Sequence, residues 1–325
     1  MATVYKCLPD GELDVLQVFQ DSNEDEEYFA CKWSLDASTG APLLLLAGKN
    51  ALLRVINCAT GTLEASLEGH GQPINDIAVH PIHPDWVVTA SKDNSLRLWN
   101  IKTKVCVLIF VGTGSHRNEV LSVDWKAGEE DLLASAGMDD YIMIWSLREH
   151  RALLEQSSSW QPSGKSFPTQ HVTTPLFSTE RVHWNYVDCV RWLGGMILSK
   201  SVDNRIIAWR PIYSGNQLAK EEDVEFIQEL ALEDARDVWW LRFSLDLAGR
   251  VLAVGTSTGK VLLFDPHLQQ PKPVARLKRT GRKPETLVRQ TAVSADGSIV
   301  IAAHEDGSIT RYDRLEPSQA AGAGA

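Results

Sequence analysis

The sequence has no long apolar run. Its longest, residues 105–111, falls far short of the roughly 20 apolar residues that carry a helix across a bilayer. Nor do the opening residues, Met1-Ala2-Thr3-Val4-Tyr5, form the apolar stretch of a secretory signal, and no membrane partner is expected. A surplus of positive charge is also missing. Lys+Arg 32 against Asp+Glu 42 leaves a net charge of −10, which repels polyphosphate over most of the surface. Direct sequence-specific nucleic-acid binding is therefore not expected. Cysteines are few, and Cys7, Cys31, Cys58, Cys106 and Cys189 are spaced too widely for a CxxC or Cys/His zinc pattern. They are expected as buried thiols in a reducing compartment, with no metal and no cofactor. Regularly placed helical periodicities are lacking too, which argues against a helical solenoid or an α/β barrel.

What the chain does have is a globular composition, 44% hydrophobic and 23% charged, with eleven tryptophans in 325 residues. Aromatic residues recurring through a chain are one cue to a repeated β unit. Aligned on itself, the sequence shows His70, Asp93 and Trp99 matched at identical gaps by His116, Asp139 and Trp145. A third copy runs His183, Asp203, Trp209, and weaker copies without the histidine lie at 29–57, 237–265 and 289–313. Within a copy, segments such as Ile77-Ala78-Val79, Trp86-Val87-Val88-Thr89-Ala90 and Ser95-Leu96-Arg97-Leu98-Trp99 are short and rich in β-branched and aromatic residues. They are separated by Gly, Pro, Asn or Asp, the pattern of strands joined by tight turns. A period of about 40 residues ending in a Trp-Asp-like pair is the mark of the WD repeat. The expected fold is all-β, a WD40 β-propeller over residues 1–314. It comprises six complete blades near 29–57, 69–100, 115–146, 183–210, 237–265 and 289–313, plus a partial N-terminal blade at 1–20. Residues 315–325, ending in an Ala/Gly tract, are expected as a disordered tail.

The His/Asp pairs, with Thr89, Ser135 and Ser199 nearby, use the residue types of a catalytic triad. A catalytic site has no reason to recur three times at near-fixed spacing, whereas each blade must tie its inner loop to its own hairpin. These residues are therefore structural. Gly255-Thr256-Ser257-Thr258-Gly259 satisfies G-x-S-x-G, but a nucleophile elbow lies between a strand and a helix. Here the flanking segments are both strands, so it is expected as a hairpin turn. Gly48-Lys49 and Gly259-Lys260 lack the upstream glycine of a phosphate loop. No enzyme motif is left.

Three long connections, 147–182, 211–236 and 266–288, interrupt the repeat and are expected on the faces where partners bind. The first carries Trp160 and Phe167 as aromatic anchors, and the third a basic patch of Arg276, Lys278, Arg279, Arg282 and Lys283. That patch is either a solvated loop or an interaction surface. The acidic run Asp21-Ser22-Asn23-Glu24-Asp25-Glu26-Glu27 leads into Tyr28-Phe29. It is either a solvated loop or, beside exposed aromatics, an attraction for a cationic ligand.

Several stretches resemble the extra sex combs/embryonic ectoderm development family of WD-repeat Polycomb proteins. They include Ser91-Lys92-Asp93, Gly137-Met138-Asp139, Ile197-Leu198-Ser199-Lys200-Ser201 and, most specifically, Asn185-Tyr186-Val187-Asp188-Cys189-Val190-Arg191-Trp192-Leu193-Gly194. His116-Arg117-Asn118-Glu119-Val120 and Arg289-Gln290-Thr291-Ala292-Val293 are closest to the plant-type branch, the fertilization-independent endosperm proteins. The resemblance covers residues 3 to about 314. It implies a nuclear, non-catalytic subunit of Polycomb repressive complex 2, which methylates the lysine at the twenty-seventh position of histone H3 and represses transcription. The implied partners are an N-terminal helix of the SET-domain methyltransferase, a zinc-finger Polycomb subunit and the histone H3 tail bearing that trimethyl-lysine. The family reads this mark in an aromatic cage and so stimulates the methyltransferase.

Matched residue by residue, the resemblance places Phe29, Trp239 and Trp240 in the cage and Asn75, Lys92, Asp188 and Arg289 along the peptide groove. Lys92 and Asp188 are also readable as a turn residue and a blade-internal cap. The family is seven-bladed and begins upstream of Met1. Residues 1–19 resemble only the last two strands of its first blade, which implies a truncated chain whose cage lacks one wall; a six-bladed ring is the alternative. A different function, substrate receptor or adaptor of a cullin ubiquitin ligase, is raised by Trp145-Ser146-Leu147-Arg148, a near match to W-D-x-R in which Ser146 replaces the aspartate.

Overall fold

A computed structural model of the chain describes residues 1–129, 131–161, 164–214, 217–218, 223–233, 238–268, 272–279 and 286–315. The chain divides into two compact units. Met1–Tyr5, Val15–Ser201 and Ala208–Ile227 form one; Lys6–Asp14, Val202–Ile207 and Gln228–Ala325 form the other.

The architecture is a succession of antiparallel sheets built from consecutive strands. The strands β1 (Ala2–Cys7) and β2 (Leu13–Phe19) form a two-stranded sheet, followed by the four-stranded sheet β3 (Tyr28–Leu35), β4 (Pro42–Gly48), β5 (Leu53–Asn57) and β6 (Thr62–Leu67). Next come β7 (Ile74–Val79), β8 (Trp86–Ser91), β9 (Leu96–Asn100) and β10 (Val105–Phe110), then β11 (Val120–Trp125), β12 (Leu132–Gly137) and β13 (Ile142–Ser146). The helix α1 (Arg151–Ser158) leads to β14 (Gln170–Val172), which pairs parallel with β10, and to β15 (Phe177–Thr179), which completes the sheet of β11 to β13. A further sheet has the order β16 (Val187–Leu193), β17 (Met196–Ser201), β18 (Arg205–Pro211), β21 (Val224–Ala231), with the short hairpin β19 (Tyr213–Ser214) and β20 (Gln217–Leu218) between the last two. The second unit holds β22 (Phe243–Leu245), β23 (Leu252–Gly255), β24 (Val261–Phe264) and β25 (Ala275–Leu277). It also holds the three-stranded sheet β26 (Val288–Val293), β27 (Ile299–His304) and β28 (Ile309–Asp313).

In the four- and five-stranded sheets the strand after the first is buried on both faces, which is why β4 reads Leu43-Leu44-Leu45-Leu46 and β8 is buried along its whole length. Hairpins between second-to-third strands all turn through a left-handed residue: Ala51, Asn94, Asp140, Asn204, Gly259 and Gly307. Asn, Asp and Gly adopt that conformation at low cost, and Ala51 is the exception. Gly255 to Gly259 forms one of these hairpins, as its flanking residues predict, with Gly255 opposite Val261 across β23 and β24.

Within the first unit, neighbouring sheets are locked together by buried polar groups along their first strands. Asp76 Oδ2 on β7 accepts from the Ser122 hydroxyl and the Val123 N–H of β11, both at 3.1 Å. The Ser122 hydroxyl in turn accepts from Val190 N–H of β16 at 3.1 Å, and Asp124 from Trp192 N–H at 2.8 Å. Residues 76, 122–123 and 190 therefore share one level and the three strands run in the same direction. In the second unit, Thr291 of β26 donates to the Ala253 carbonyl at 2.8 Å and bonds Ser244 at 2.9 Å.

The long connections are largely structural. Those at 147–182, 211–236 and 266–288 carry β15, β21 and β25, each the fourth strand of its sheet. In the first of them, α1 buries Leu153 and Leu154 in the core shared with Phe110 and Trp145. Trp160 and Phe167 meet edge to face at 5.2 Å and pack on that same core, as aromatic anchors should. The expectation of buried thiols is corrected: none of the five cysteines is in a disulfide, but only Cys189 is buried, while Cys7 and Cys31 are exposed because they lie on the outward-facing sides of β1 and β3. Of the basic patch, Arg282 and Lys283 lie outside the described residues, as does the tail from 316. Arg276 is tied to Glu233 and Arg279 faces Asp306 at 3.5 Å.

Candidate functional site

Five first strands share a defect at their start. The pairing slips by one residue between Tyr28 and Ala30, Ile74 and Asp76, Val120 and Ser122, Val187 and Cys189, and Val288 and Gln290. The extra residue of each β-bulge is Phe29, Asn75, Leu121, Asp188 and Arg289. A bulge re-aims the side chain it carries and frees it from the ladder. Four of these five are residues that the family resemblance assigns to the cage and groove, so those assignments share one structural address. Leu121 is the fifth, and only superposing the repeats at the bulge, rather than at His, Asp and Trp, would have marked it.

The bulge residues differ in what they do. Phe29 is 38% exposed. Asn75 is buried and donates from Nδ2 to the Val120 carbonyl at 3.0 Å. Asp188 is fully enclosed and accepts from Lys200 Nζ at 3.0 and 2.9 Å, and Lys200 is itself 1% exposed. The position of Lys200, facing the residue after the bulge, is Ala47, Ala90, Ala136 and Ala303 in the other four sheets. A lysine in a place where alanine is the rule is the signal by which repeat alignment finds this pair. Removing either partner strands a buried charge, at a cost of about 3–5 kcal/mol. Lys92, in the turn after β8, bonds Glu119 at 2.8 Å from a half-exposed side chain.

Trp239 and Trp240 lie just before β22 in the second unit. Their rings meet edge to face, 86° apart with centroids at 5.6 Å, and Trp239 is 47% exposed. Arg289 braces the pair: its Nη1 donates to the Trp239 carbonyl at 3.0 Å and its Nη2 bonds Glu305 at 2.7 Å. Arg242, which the sequence reading missed, stacks its guanidinium 4.9 Å from the centre of the Trp240 ring. Two adjacent indoles, one open to solvent, offer π faces that attract a cation unable to donate hydrogen bonds.

Before Phe29, the acidic run is only partly solvated. Asp21 pairs with Arg54 and accepts from the Tyr28 hydroxyl at 2.7 Å. Burial, then the bond to Asp21, pushes the Tyr28 hydroxyl well above its ordinary pKa. Glu27 reaches Lys49 at 2.9 Å.

The triad look-alikes are internal ties. Asp93 accepts from His70 Nδ1 at 2.8 Å, Thr89 bonds His70 Nε2 at 2.7 Å, and Trp99 Nε1 donates to the same Thr89 oxygen at 2.9 Å. His116, Asp139, Ser135 and Trp145 repeat this at 3.0, 2.7 and 2.8 Å. In the third copy His183 and Trp209 meet at Ser199, at 2.8 and 3.0 Å, while Asp203 lies 4.0 Å from Arg205. Each hydroxyl is buried between a histidine and an indole, out of reach of a substrate.

The family model "WD domain, G-beta repeat" matches residues 61–100 and 105–146. The chain is 43% identical to the Polycomb group protein FIE2 of Zea mays over 314 residues, covering 97% of this chain and 82% of that protein. The chain belongs to the Polycomb-group WD-repeat family. Its kinship extends to the Polycomb protein esc of Drosophila melanogaster, 34% identical over 97% of this chain and 75% of that one. A crystal structure of the Chaetomium thermophilum polycomb repressive complex 2 contains a chain of the same fold, with a TM-score of 0.77 at 20% identity over 96% of this chain and 87% of that chain. The fold is thus the all-β WD40 propeller, with six blades and a partial N-terminal one. In this family member, Trp145-Ser146-Leu147-Arg148 is spent on the blade: Trp145 and Leu147 are buried in its core and Arg148 opens the turn before α1.

Proposed function

We propose that this chain is the non-catalytic WD-repeat subunit of Polycomb repressive complex 2 in the nucleus. It scaffolds the SET-domain methyltransferase through that enzyme's N-terminal helix, alongside the zinc-finger Polycomb subunit, and it binds the histone H3 tail carrying the repressive trimethyl-lysine. Membership of the Polycomb family along 97% of the chain carries this reading. A structure of the Chaetomium complex holds histone H3 in that trimethylated form. The residues that support mark reading are Trp239 and Trp240, an edge-to-face pair of which Trp239 is half-exposed, with Arg289 beside them to orient a peptide. No step of chemistry is assigned to the chain; its work is recognition and assembly.

Calorimetric titration of the folded protein with H3 peptides, trimethylated or unmodified at the repressive lysine, tests the reading. Selective binding of the trimethylated peptide, abolished by Trp240→Ala in a variant that still unfolds cooperatively on heating, is the expected outcome. A folded protein that binds both peptides equally would refute mark reading. The scaffolding role is checked separately by co-purification with a SET-domain partner.

A further inference from the structure

We propose that Arg242 is the positioning residue of the Trp240 ring, a cation built into the fold that holds the indole ready for the ligand's cation. This deepens the mark-reading role of Trp239 and Trp240 and rests on it for the binding part of its test.

Trp240 has a backbone φ of +66°, in the left-handed region that a bulky side chain enters only at a cost. Such a conformation persists where its surroundings determine it from several sides. Here both flanks are pinned by one residue. Arg289 donates from its side chain to the Trp239 carbonyl at 3.0 Å, and its own carbonyl accepts from the Arg242 N–H at 3.3 Å. The backbone on either side of Trp240 is therefore fastened to the bulge of β26. The ring still has its own rotation, and the Arg242 guanidinium limits it.

Arg242 is 4% exposed, and its Cζ stands over the Trp240 ring at 4.9 Å. A desolvated guanidinium gains more from an indole face than a hydrated one does. It therefore fixes the ring orthogonal to Trp239, 86° away, and covers one of its faces. The indole is thus already oriented beside the half-exposed Trp239 when a ligand cation arrives, so the ordering cost that binding would otherwise carry has been met by the fold.

The test compares Arg242→Met, which keeps the length of the side chain and removes its charge, with Arg242→Lys, which keeps the charge and loses the planar fork. Two orthogonal, touching indoles give an exciton couplet in the far-ultraviolet circular dichroism spectrum, a readout that needs no ligand. Arg242→Met is expected to collapse the couplet and weaken binding of the trimethylated H3 peptide about tenfold, while Arg242→Lys keeps the couplet and stays within about threefold of the parent. Unchanged or tighter binding by Arg242→Met with the couplet intact would overturn the proposal. If Arg242→Met fails to fold, Arg242→Lys decides: a folded lysine variant without the couplet overturns it, and one that retains couplet and affinity upholds it. If the parent protein shows no selectivity for the mark, mark reading fails, and the couplets alone still decide what Arg242 does.

Discussion

His70 shows how a buried tie makes the fold sensitive to acid. Burial is the largest influence on its imidazole and holds the pKa below the ordinary histidine value, although Asp93 pulls the other way. Burial pushes the Asp93 carboxyl up, but the bonds from His70, Ser95 and Gly71 N–H outweigh it and leave the group well below the usual carboxylate range. As pH falls below about 6.5 the unfolded chain protonates its histidine before the folded one does, so stability is lost from there downwards. Asp93 contributes stability that is complete above about pH 3.9 and is lost below it. Both groups therefore make the protein weaker in acid and neither makes it weaker in base. The urea midpoint is expected to fall between about pH 7.5 and 5, with His70 contributing to the fall. In His70→Asn, whose absolute stability is lower, the fall over the same interval should be shallower than in the parent. Parallel lines for the two proteins would show that the acid sensitivity arises elsewhere.

At the scale of elements, the bulge at the start of the first strand is the device that links fold to site. At two of the five bulges its geometry depends on a glycine opposite. Gly48 faces Tyr28, and a Cβ there would collide with the Glu27 carbonyl; Gly137 faces Val120, where a Cβ would lie 2.5 Å from the Glu119 carbonyl. Gly71, by contrast, has open space around the Cβ position. Gly48→Ala should then cost on the order of 3 kcal/mol in denaturant unfolding and Gly71→Ala less than about 0.5 kcal/mol. Equal effects would mean that the bulge tolerates a side chain. The first three strands of each blade are legible in the sequence because apolar runs and Asn, Asp or Gly turns mark them locally. The fourth strands β15 and β25 are not, since three residues such as Phe177–Thr179 or Ala275–Leu277 carry no periodicity of their own and are held by the edge they pair with. The bulge is illegible for a related reason: it is a property of register between two strands, and Asn75 or Asp188 reads locally as one more strand residue. The Trp239–Trp240 pair is visible as two adjacent aromatics, but its orthogonal packing and the guanidinium over it depend on β26, some fifty residues further on.

For the whole molecule, the proposed function separates how a partner arrives, which charge would set, from how long it stays, which the aromatic pair would set. The chain carries a net charge of −10, and a histone tail is rich in lysine and arginine, so the long-range field draws the two together. Close to Trp239 and Trp240 the sign is mixed. Arg289 is already paired with Glu305 at 2.7 Å and Arg242 is buried against its ring, so neither cation presents a bare charge to the incoming ligand. Surface fields are screened over about 8 Å at physiological salt, whereas a cation seated on an indole face is within a few ångströms of it. Raising ionic strength should therefore act on encounter and spare the bound state. In stopped-flow or surface-binding kinetics with the trimethylated H3 peptide, the association rate is expected to drop about tenfold between roughly 0.05 and 0.5 M salt, with the dissociation rate changing less than about twofold. A salt effect carried mainly by dissociation would mean that exposed ion pairs along the peptide, such as one to Glu305, hold the complex together, and the aromatic pair would lose its place as the principal anchor.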